Sequence, residues 1–456
     1  MHDLGAMMER LRASFAAGRT RPLAWRKAQL DALAAMMQAE EEAIVEALRL
    51  DLGKPRAESL TGEVDNVRKE ARLMARQLKR WTRPLKVSSP LATFPSRSLI
   101  VPEPMGVALI IGAWNFPVQE IFAPLAGALA AGNCAVLKPS ELAPASSALI
   151  ARLAQQYLDS KAIAVVEGDA QTVEALLEHR FDTIFFTGGS RVGRHIMQGA
   201  ARHLTPVTLE LGGKSPAIVA DDADLVVTAR RLVWGRFMNA GQLCVAPDHV
   251  YVHHSLHDRL VAELGQQIRA LYGDDPATSP DYGRIVNARH FDRVSAYLQQ
   301  GRVAHGGAVD RERLYIAPTI LVDPQPRSDV LEEEIFGPVL PVLAWREEEE
   351  VYQSLAARPA PLAVYAFGKS KAFLERARAR TRSGTFMSND VVMFQTNPAL
   401  PFGGVGESGM GSFHGRHSFD AFSQKRAVML RGFGLDSALR YPPYDAKKLK
   451  TLRQLA

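Results

Sequence analysis

Cysteine is nearly absent from this sequence: two thiols, Cys134 and Cys244, in 456 residues. Two cannot build a disulfide framework, which points to a reducing, cytoplasmic setting. Long apolar runs are missing too. The most apolar stretch, Gly106 to Leu137, holds Asn115, Glu120 and Asn133 and is broken by Pro117 and Pro124. That reads as a buried αβ segment rather than a membrane span. The N-terminal MHDLGAMMERLRASFAAGRTR is charged throughout and lacks the apolar centre of a secretory signal. No apolar run follows Arg440, so no C-terminal anchor is expected. Charge of one sign is lacking as well. The 55 basic and 49 acidic residues leave +6, spread along the chain except for Lys447, Lys448, Lys450 and Arg453. A spread excess of this size gives no footprint for nucleic acid, and the final cluster reads as a solvated tail.

What is present is an ordinary globular balance, 47% hydrophobic and 23% charged, in a chain too long for one core. Ala24 to Leu50 has helical apolar spacing, stopped by Gly53 and Pro55. A charged helix follows around Glu63 to Trp81, and Pro84 to Pro102 reads as extended, in the manner of a hairpin. From Gly106 strands and helices alternate: GVALIIGAW, then PVQEIFAPLAGALAAG, then CAVLKPS, then ASSALIARLAQQYL, with IAVVEG and TIFFTGG as further strands. Such alternation means a parallel sheet covered on both faces, with ligands at the C-terminal strand ends. A second α/β block runs from Leu211 to about Ser388, with the strand HVYVHH and a helix from Leu256 to Leu271. A glycine-rich stretch, PFGGVGESGMGSFHG, lies beyond it.

Some residues fit this frame poorly unless they carry chemistry. Cys134 lies inside a strand and reads as a small buried hydrophobe. Cys244 sits instead in the polar, flexible turn NAGQLC, which gives a thiol the access a nucleophile needs. Glu210, in TLELGGK, is either a solvated strand end or a desolvated general base. Asn115, in GAWNFP, is either an Asx turn before Pro117 or an oxyanion donor. Gly188, Gly189 and Gly193 surround Ser190 at a strand-to-helix junction whose amides suit a phosphate. Lys138 and Glu141 of LKPSE mark another strand end. His253 and His257 have metal-compatible spacing but no partner set, so no metal site is expected.

The phrases GAWNFP, LKPSE, FTGG, LELGGK, N-x-G-Q-x-C and EEIFGP, in this order, resemble the aldehyde dehydrogenase superfamily. LDLGKP, GQLCVAPDHV, YGRIVNARHF, YIAPTIL and PFGGVGESGMGSFHGRHSF are similar to its class 3 branch, which includes bacterial coniferyl and fatty aldehyde dehydrogenases. The resemblance spans about residues 25–445.

The resemblance implies an α/β fold with a parallel Rossmann-type cofactor domain (1–83 and 103–210), an α/β catalytic domain (211–388), a small β oligomerisation arm (84–102 and 389–435) and a tail (436–456). It implies Cys244 as nucleophile, Glu210 as the base that activates water, and Asn115 with the Cys244 N–H as oxyanion hole. Lys138 and Glu141 would meet the adenosine ribose of NAD, with NADP also accepted. Gly188 and Gly193 would lie at the pyrophosphate, and Glu334 and Phe336 at the nicotinamide ribose and ring. Phe116, Trp234, Met238 and Leu243 would line a tunnel for a hydrophobic aldehyde. A soluble homodimer is implied, without nucleic acid or a stable membrane anchor. One departure touches the pocket mouth: Met393, Phe394 and Gln395 stand where the branch often has a histidine. A coenzyme A-acylating relative generally lacks the carboxylate found at Glu210, and a catalytically dead member would lack the thiol, the amide or the carboxylate.

Overall fold

The computed structural model describes residues 3–455. Its first large sheet has the order Gly409–Met410, Val207–Glu210, Thr183–Thr187, Val107–Ile111, Cys134–Lys138, Ile163–Val165. All neighbours are parallel except the short edge strand Gly409–Met410. Val107–Ile111 and Cys134–Lys138 are buried along their whole length, as apolar strands covered on both faces must be. The chain enters this sheet in the middle, at Val107–Ile111, and moves outward to Ile163–Val165. It then crosses back to add Thr183–Thr187 on the other side. The loops after Val107–Ile111 and Thr183–Thr187 therefore diverge, which opens a crevice at the C-terminal strand ends.

The second sheet runs Arg302–His305, Thr319–Val322, Val339–Trp345, His249–His253, Pro216–Val219, Ala363–Phe367, Thr385–Ser388. Only the edge strand Arg302–His305 is antiparallel. The third is a small antiparallel sheet of Leu85–Val87, Ser96–Pro104 and Ser423–Arg431. The extended 84–102 stretch is thus a hairpin, with Leu85 opposite Ile100. Of the stretch from 389 to 435, only Ser423–Arg431 belongs to this small sheet. Gly409–Met410 pairs with Val207–Glu210, and the helix Arg416–Ala421 packs against Gln119–Ala131.

Helices cover the first sheet. Gln119–Ala131 is buried on all sides, which explains why it is alanine- and leucine-rich all round rather than amphipathic. It ends at Gly132 with φ 94°, a left-handed stop that favours glycine. The single helix expected over 24–50 is two, Leu23–Ala39 and Glu41–Leu52. The break falls at Glu40, whose carboxylate accepts from Arg152 and Tyr157 of the helix Pro144–Tyr157 at 2.8 and 2.9 Å. The charged helix begins in a π-helical turn, Ser59–Val64, before continuing as Asp65–Trp81. Such turns frequently sit at functional sites, and this one borders the cavity described next. No helix of the described residues is long and apolar enough to cross a membrane.

Candidate active site

Cys244 lies just beyond a tight turn, Met238–Gly241, that follows the helix Leu225–Phe237. Asn239, Ala240 and Gly241 have φ of 50°, 52° and 74°, three consecutive left-handed residues. Glycine and, less readily, asparagine adopt this region, and a side chain at Gly241 would lie 2.3 Å from the Gly337 carbonyl. The strain of the other two is held by hydrogen bonds. The buried Gln242 amide donates to the carbonyls of Asn239 and Arg284 at 2.9 Å and accepts from Val286 N–H at 3.0 Å. Glu58 accepts from Asn239 N–H at 2.9 Å.

The Asn115 loop is fixed from two directions. Its backbone carbonyl accepts from the Asn239 amide at 2.9 Å and from the Lys54 ammonium at 2.8 Å. Lys54 is fully buried, ion-paired with Glu63, and sits 3.8 Å over the Phe116 ring. Glu63 in turn accepts from Val118 and Gln119 N–H at 2.9 and 3.0 Å, which fixes the start of the helix Gln119–Ala131. The Asn115 side chain is buried and donates one hydrogen to the Gln242 carbonyl at 3.2 Å, two residues before the thiol. Three distant segments, 54–63, 114–120 and 239–244, thereby become one rigid frame.

Glu210 ends its strand beside Thr187 and Gly409. It is buried, and neither carboxylate oxygen has a hydrogen-bond partner among the described residues. Burial, reinforced by Glu120, raises its carboxyl well above the usual range. That environment fits a base and not a solvated strand end. Cys244 is half-buried at the cavity wall. Burial and the carboxylates of Glu120, Glu334 and Glu210, in that order, push its thiol well above its ordinary value. The thiol and Glu210 are therefore within electrostatic reach of each other. Cys134, fully buried in its strand, is pushed up to about 12 by burial, which leaves it inert.

A cavity of about 520 Å³ opens onto Cys244. Phe116, Trp234, Met238 and Leu243 all line it, with Phe402 and Phe413 from the glycine-rich stretch. Met393 and Gln395 also line it, while Phe394 stacks on Phe402. Three carboxylates, Glu58, Glu70 and Glu120, complete the wall, and sequence reasoning had assigned none of them a role. Glu120 carried a signal, a charge inside the most apolar stretch of the chain. Its meaning depended on the neighbours that folding brings.

The crevice of the first sheet suits a dinucleotide. The helix Ser190–Ala201 has no side chain capping its first amides, which leaves them free for a phosphate. A side chain at Gly193 would lie 2.8 Å from Leu211, so the helix seats closely against the strand end. A side chain at Gly188 would lie 2.5 Å from the Phe186 ring. Lys138 is buried at its strand end and donates to the Pro139 carbonyl at 2.8 Å and to Glu141 at 3.0 Å. Glu334 closes over Gly212, where any side chain would lie 2.1 Å from its carboxylate. Burial pushes Glu334 up to about 8. Phe336 takes a left-handed φ of 45° and packs edge-on against Trp114, 5.3 Å away. His253 and His257 are spent on local bonds to Ser255 and Asp258.

The aldehyde dehydrogenase family model matches residues 2–428. The chain belongs to the aldehyde dehydrogenase family. It is 48% identical over 454 residues to aldehyde dehydrogenase family 3 member H1 of Arabidopsis thaliana, covering 98% of this chain and 94% of that one. It is 47% identical to family 3 member B1 of Homo sapiens, covering 99% and 97%. Among solved structures, the substrate-bound Staphylococcus aureus AldH superposes with a TM-score of 0.97 at 39% identity, over 100% and 99% of the two chains. An indole-3-acetaldehyde dehydrogenase complexed with NAD+ gives 0.85 at 28% identity, over 93% and 88%. This aldehyde dehydrogenase is accordingly an oxidoreductase with the aldehyde dehydrogenase fold, and it oxidises aldehydes.

Proposed function

We propose that this aldehyde dehydrogenase converts hydrophobic aldehydes, aromatic or medium- to long-chain aliphatic, to carboxylic acids with NAD, NADP also being accepted. The observation that supports this best is a largely apolar cavity ending at a half-buried thiol, with an unpartnered buried carboxylate, Glu210, nearby. The test is reduced-cofactor absorbance with aldehydes of two to eight carbons and with aromatic and phenylpropenal members. Each methylene buried in the cavity contributes about 0.8 kcal/mol until it is filled. A flat kcat/KM along the series contradicts an apolar tunnel.

In this reading the Cys244 sulfur attacks the aldehyde carbon. Its proton leaves to a carboxylate, because the buried thiol is held protonated at rest. The carbonyl oxygen becomes an oxyanion against the Cys244 N–H and the Asn115 amide, whose second hydrogen is free to turn toward it. A bound nicotinamide supplies the hydride acceptor. Loss of hydride from the adduct leaves a thioester on Cys244. Glu210 takes a proton from water, the resulting hydroxide attacks the thioester carbon, and the C–S bond breaks to release the acid and the thiol.

The first sheet would hold the dinucleotide and the second would carry the thiol. Lys138 and Glu141 would meet the adenosine ribose, the amides at Gly188 to Gly193 the pyrophosphate, and Glu334 and Phe336 the nicotinamide end. Glu141 is partly exposed and held by Lys138. Its carboxylate favours the free ribose hydroxyls of NAD and opposes a 2′-phosphate, while Lys138 offsets part of that. A large NADP preference in kcat/KM contradicts this placement. The small antiparallel sheet exposes Leu85, Met429 and Leu430, and the connection between its first two strands exposes Leu91 and Phe94. Apolar side chains exposed on this arm support a homodimer paired through it, which we place in the cytoplasm as a soluble protein. Sedimentation at micromolar concentration tests it, and a monomer counts against it.

A further inference from the structure

Of the three carboxylates in the cavity wall, two hold the frame together. Glu58 accepts from Asn239 N–H and Glu70 from Gly415 N–H. Glu120 does neither. It is 7% exposed, and its buried Oε2 has no hydrogen-bond partner among the described residues. The buried cation of this region, Lys54, is committed to Glu63 and to the Asn115 carbonyl.

Its position is not accidental slack. Glu120 is the second residue of the helix Gln119–Ala131, whose start is tied to Glu63. The strand end lies directly against that turn, since a side chain at Gly112 would lie 2.8 Å from Ile121 and 3.3 Å from the Glu120 carbonyl. Glu120 therefore cannot swing away to solvent with its helix. Glu120 and Cys244 line the same cavity, so a ligand held at the thiol shares its space with this carboxylate. Its cavity neighbours Phe116, Met238 and Leu243 offer no donor from their side chains, and the Thr187 hydroxyl beside the carboxylate leaves Oε2 without a partner among the described residues. A buried acceptor without a donor is unfavourable. A ligand in the cavity can supply one.

We propose that Glu120 is a specificity-determining residue, an acceptor for a hydroxyl carried one or two carbons from the aldehyde group. The preferred substrate is then a hydrophobic aldehyde with a hydroxyl next to its reacting end rather than a plain alkanal. A hydroxyl fits better than an ammonium, which the apolar walls would strip of its water without a second partner. This rests on the reading of the cavity as the aldehyde site.

The experiment measures kcat/KM for hexanal and for its β-hydroxy analogue with wild type, Glu120→Leu and Glu120→Gln. A hydrogen bond to a buried carboxylate corresponds to a wild-type preference for the hydroxy aldehyde of roughly tenfold or more. In Glu120→Leu the ratio falls to about one or below, mainly through KM, while hexanal is still oxidised. Glu120→Gln keeps part of the preference through its amide oxygen. The melting temperature of Glu120→Leu equals or exceeds that of wild type, because an unpaired buried acceptor has gone. A wild-type ratio near one overturns the proposal, and that comparison needs no variant to fold. So does a ratio unchanged in Glu120→Leu. If wild type oxidises neither aldehyde, the cavity reading itself falls, a result distinct from a changed ratio.

Discussion

The Lys54 ammonium donates to the Asn115 backbone carbonyl across 2.8 Å, with neither Lys54 nor its partner Glu63 reaching solvent. One buried cation thus ties the loop that carries the Asn115 amide to the helix start that carries Glu120. Lys54→Met leaves Glu63 buried without its counter-ion, which costs about 3–5 kcal/mol. Urea denaturation should show that loss. The double variant Lys54→Met/Glu63→Gln should recover most of it, because no unpaired charge then remains inside. Equal losses in the single and double variants would show that the pair is not what the fold depends on.

Cys244→Ser should abolish aldehyde oxidation while leaving cofactor binding intact, as followed by quenching of tryptophan fluorescence. A serine hydroxyl in the same half-buried turn is far less nucleophilic than the thiol. Cys134→Ser should instead lower the melting temperature and leave kcat unchanged, since its side chain is packed in a strand core. Substantial turnover by the Cys244 variant would remove the nucleophile assigned here.

Asn115→Ala should reduce kcat by roughly 10²–10³-fold, the usual effect of losing one oxyanion donor. The measurement needs saturating substrate and a chemistry-limited step. The loop itself should persist, because it is held through the Asn115 backbone carbonyl and not through the side chain. A near-normal kcat would leave the oxyanion to other donors.

Glu210→Gln should separate the two halves of the reaction. Mixing with aldehyde and cofactor should release about one equivalent of reduced cofactor in a burst, followed by almost no turnover. Mass spectrometry of the quenched protein should find the acyl group on the peptide containing Cys244. A slowed burst with no trapped acyl group would place Glu210 at thiol deprotonation instead.

The contribution of Glu70 to stability should fall as the solution becomes less acidic. Burial pushes the Glu70 carboxyl up to about 7, partly offset by the Gly415 N–H. An acid whose folded value lies above its unfolded one (about 4.3) binds more protons when folded. Its contribution is complete below the unfolded value and is lost as pH rises through about 7. Glu58 and Glu120, also pushed up to about 7 by burial, act in the same sense. Glu70→Gln should raise the melting temperature near pH 8 and change it little near pH 5. An identical pH dependence in variant and wild type would locate the effect elsewhere.

Much of this protein was legible in its residues. Uninterrupted apolar strands such as Val107–Ile111, alternating with helices that stop at glycine, announce a parallel sheet, because periodicity and stop signals are local properties. The thiol that lines the cavity was legible for a similar reason. A thiol in a polar turn is out of place, and the phrases around Cys244, Glu210 and Asn115 resemble one family in their order. The tertiary structure alone decided what surrounds them. Lys54 and Glu63 lie about sixty positions from the Asn115 loop they hold, and no spacing rule reaches that far. The left-handed conformation of Ala240 contradicts its intrinsic preference, and the run it belongs to is held by Gln242, Glu58 and Asn115. The break at Glu40 depends on Arg152 and Tyr157 in another helix. Glu120 shows the division most clearly. Its sequence position says only that a charge interrupts an apolar segment. Whether that charge is paired, solvated or turned toward a cavity is fixed by which side chains pack around it, and that is a property of the folded chain.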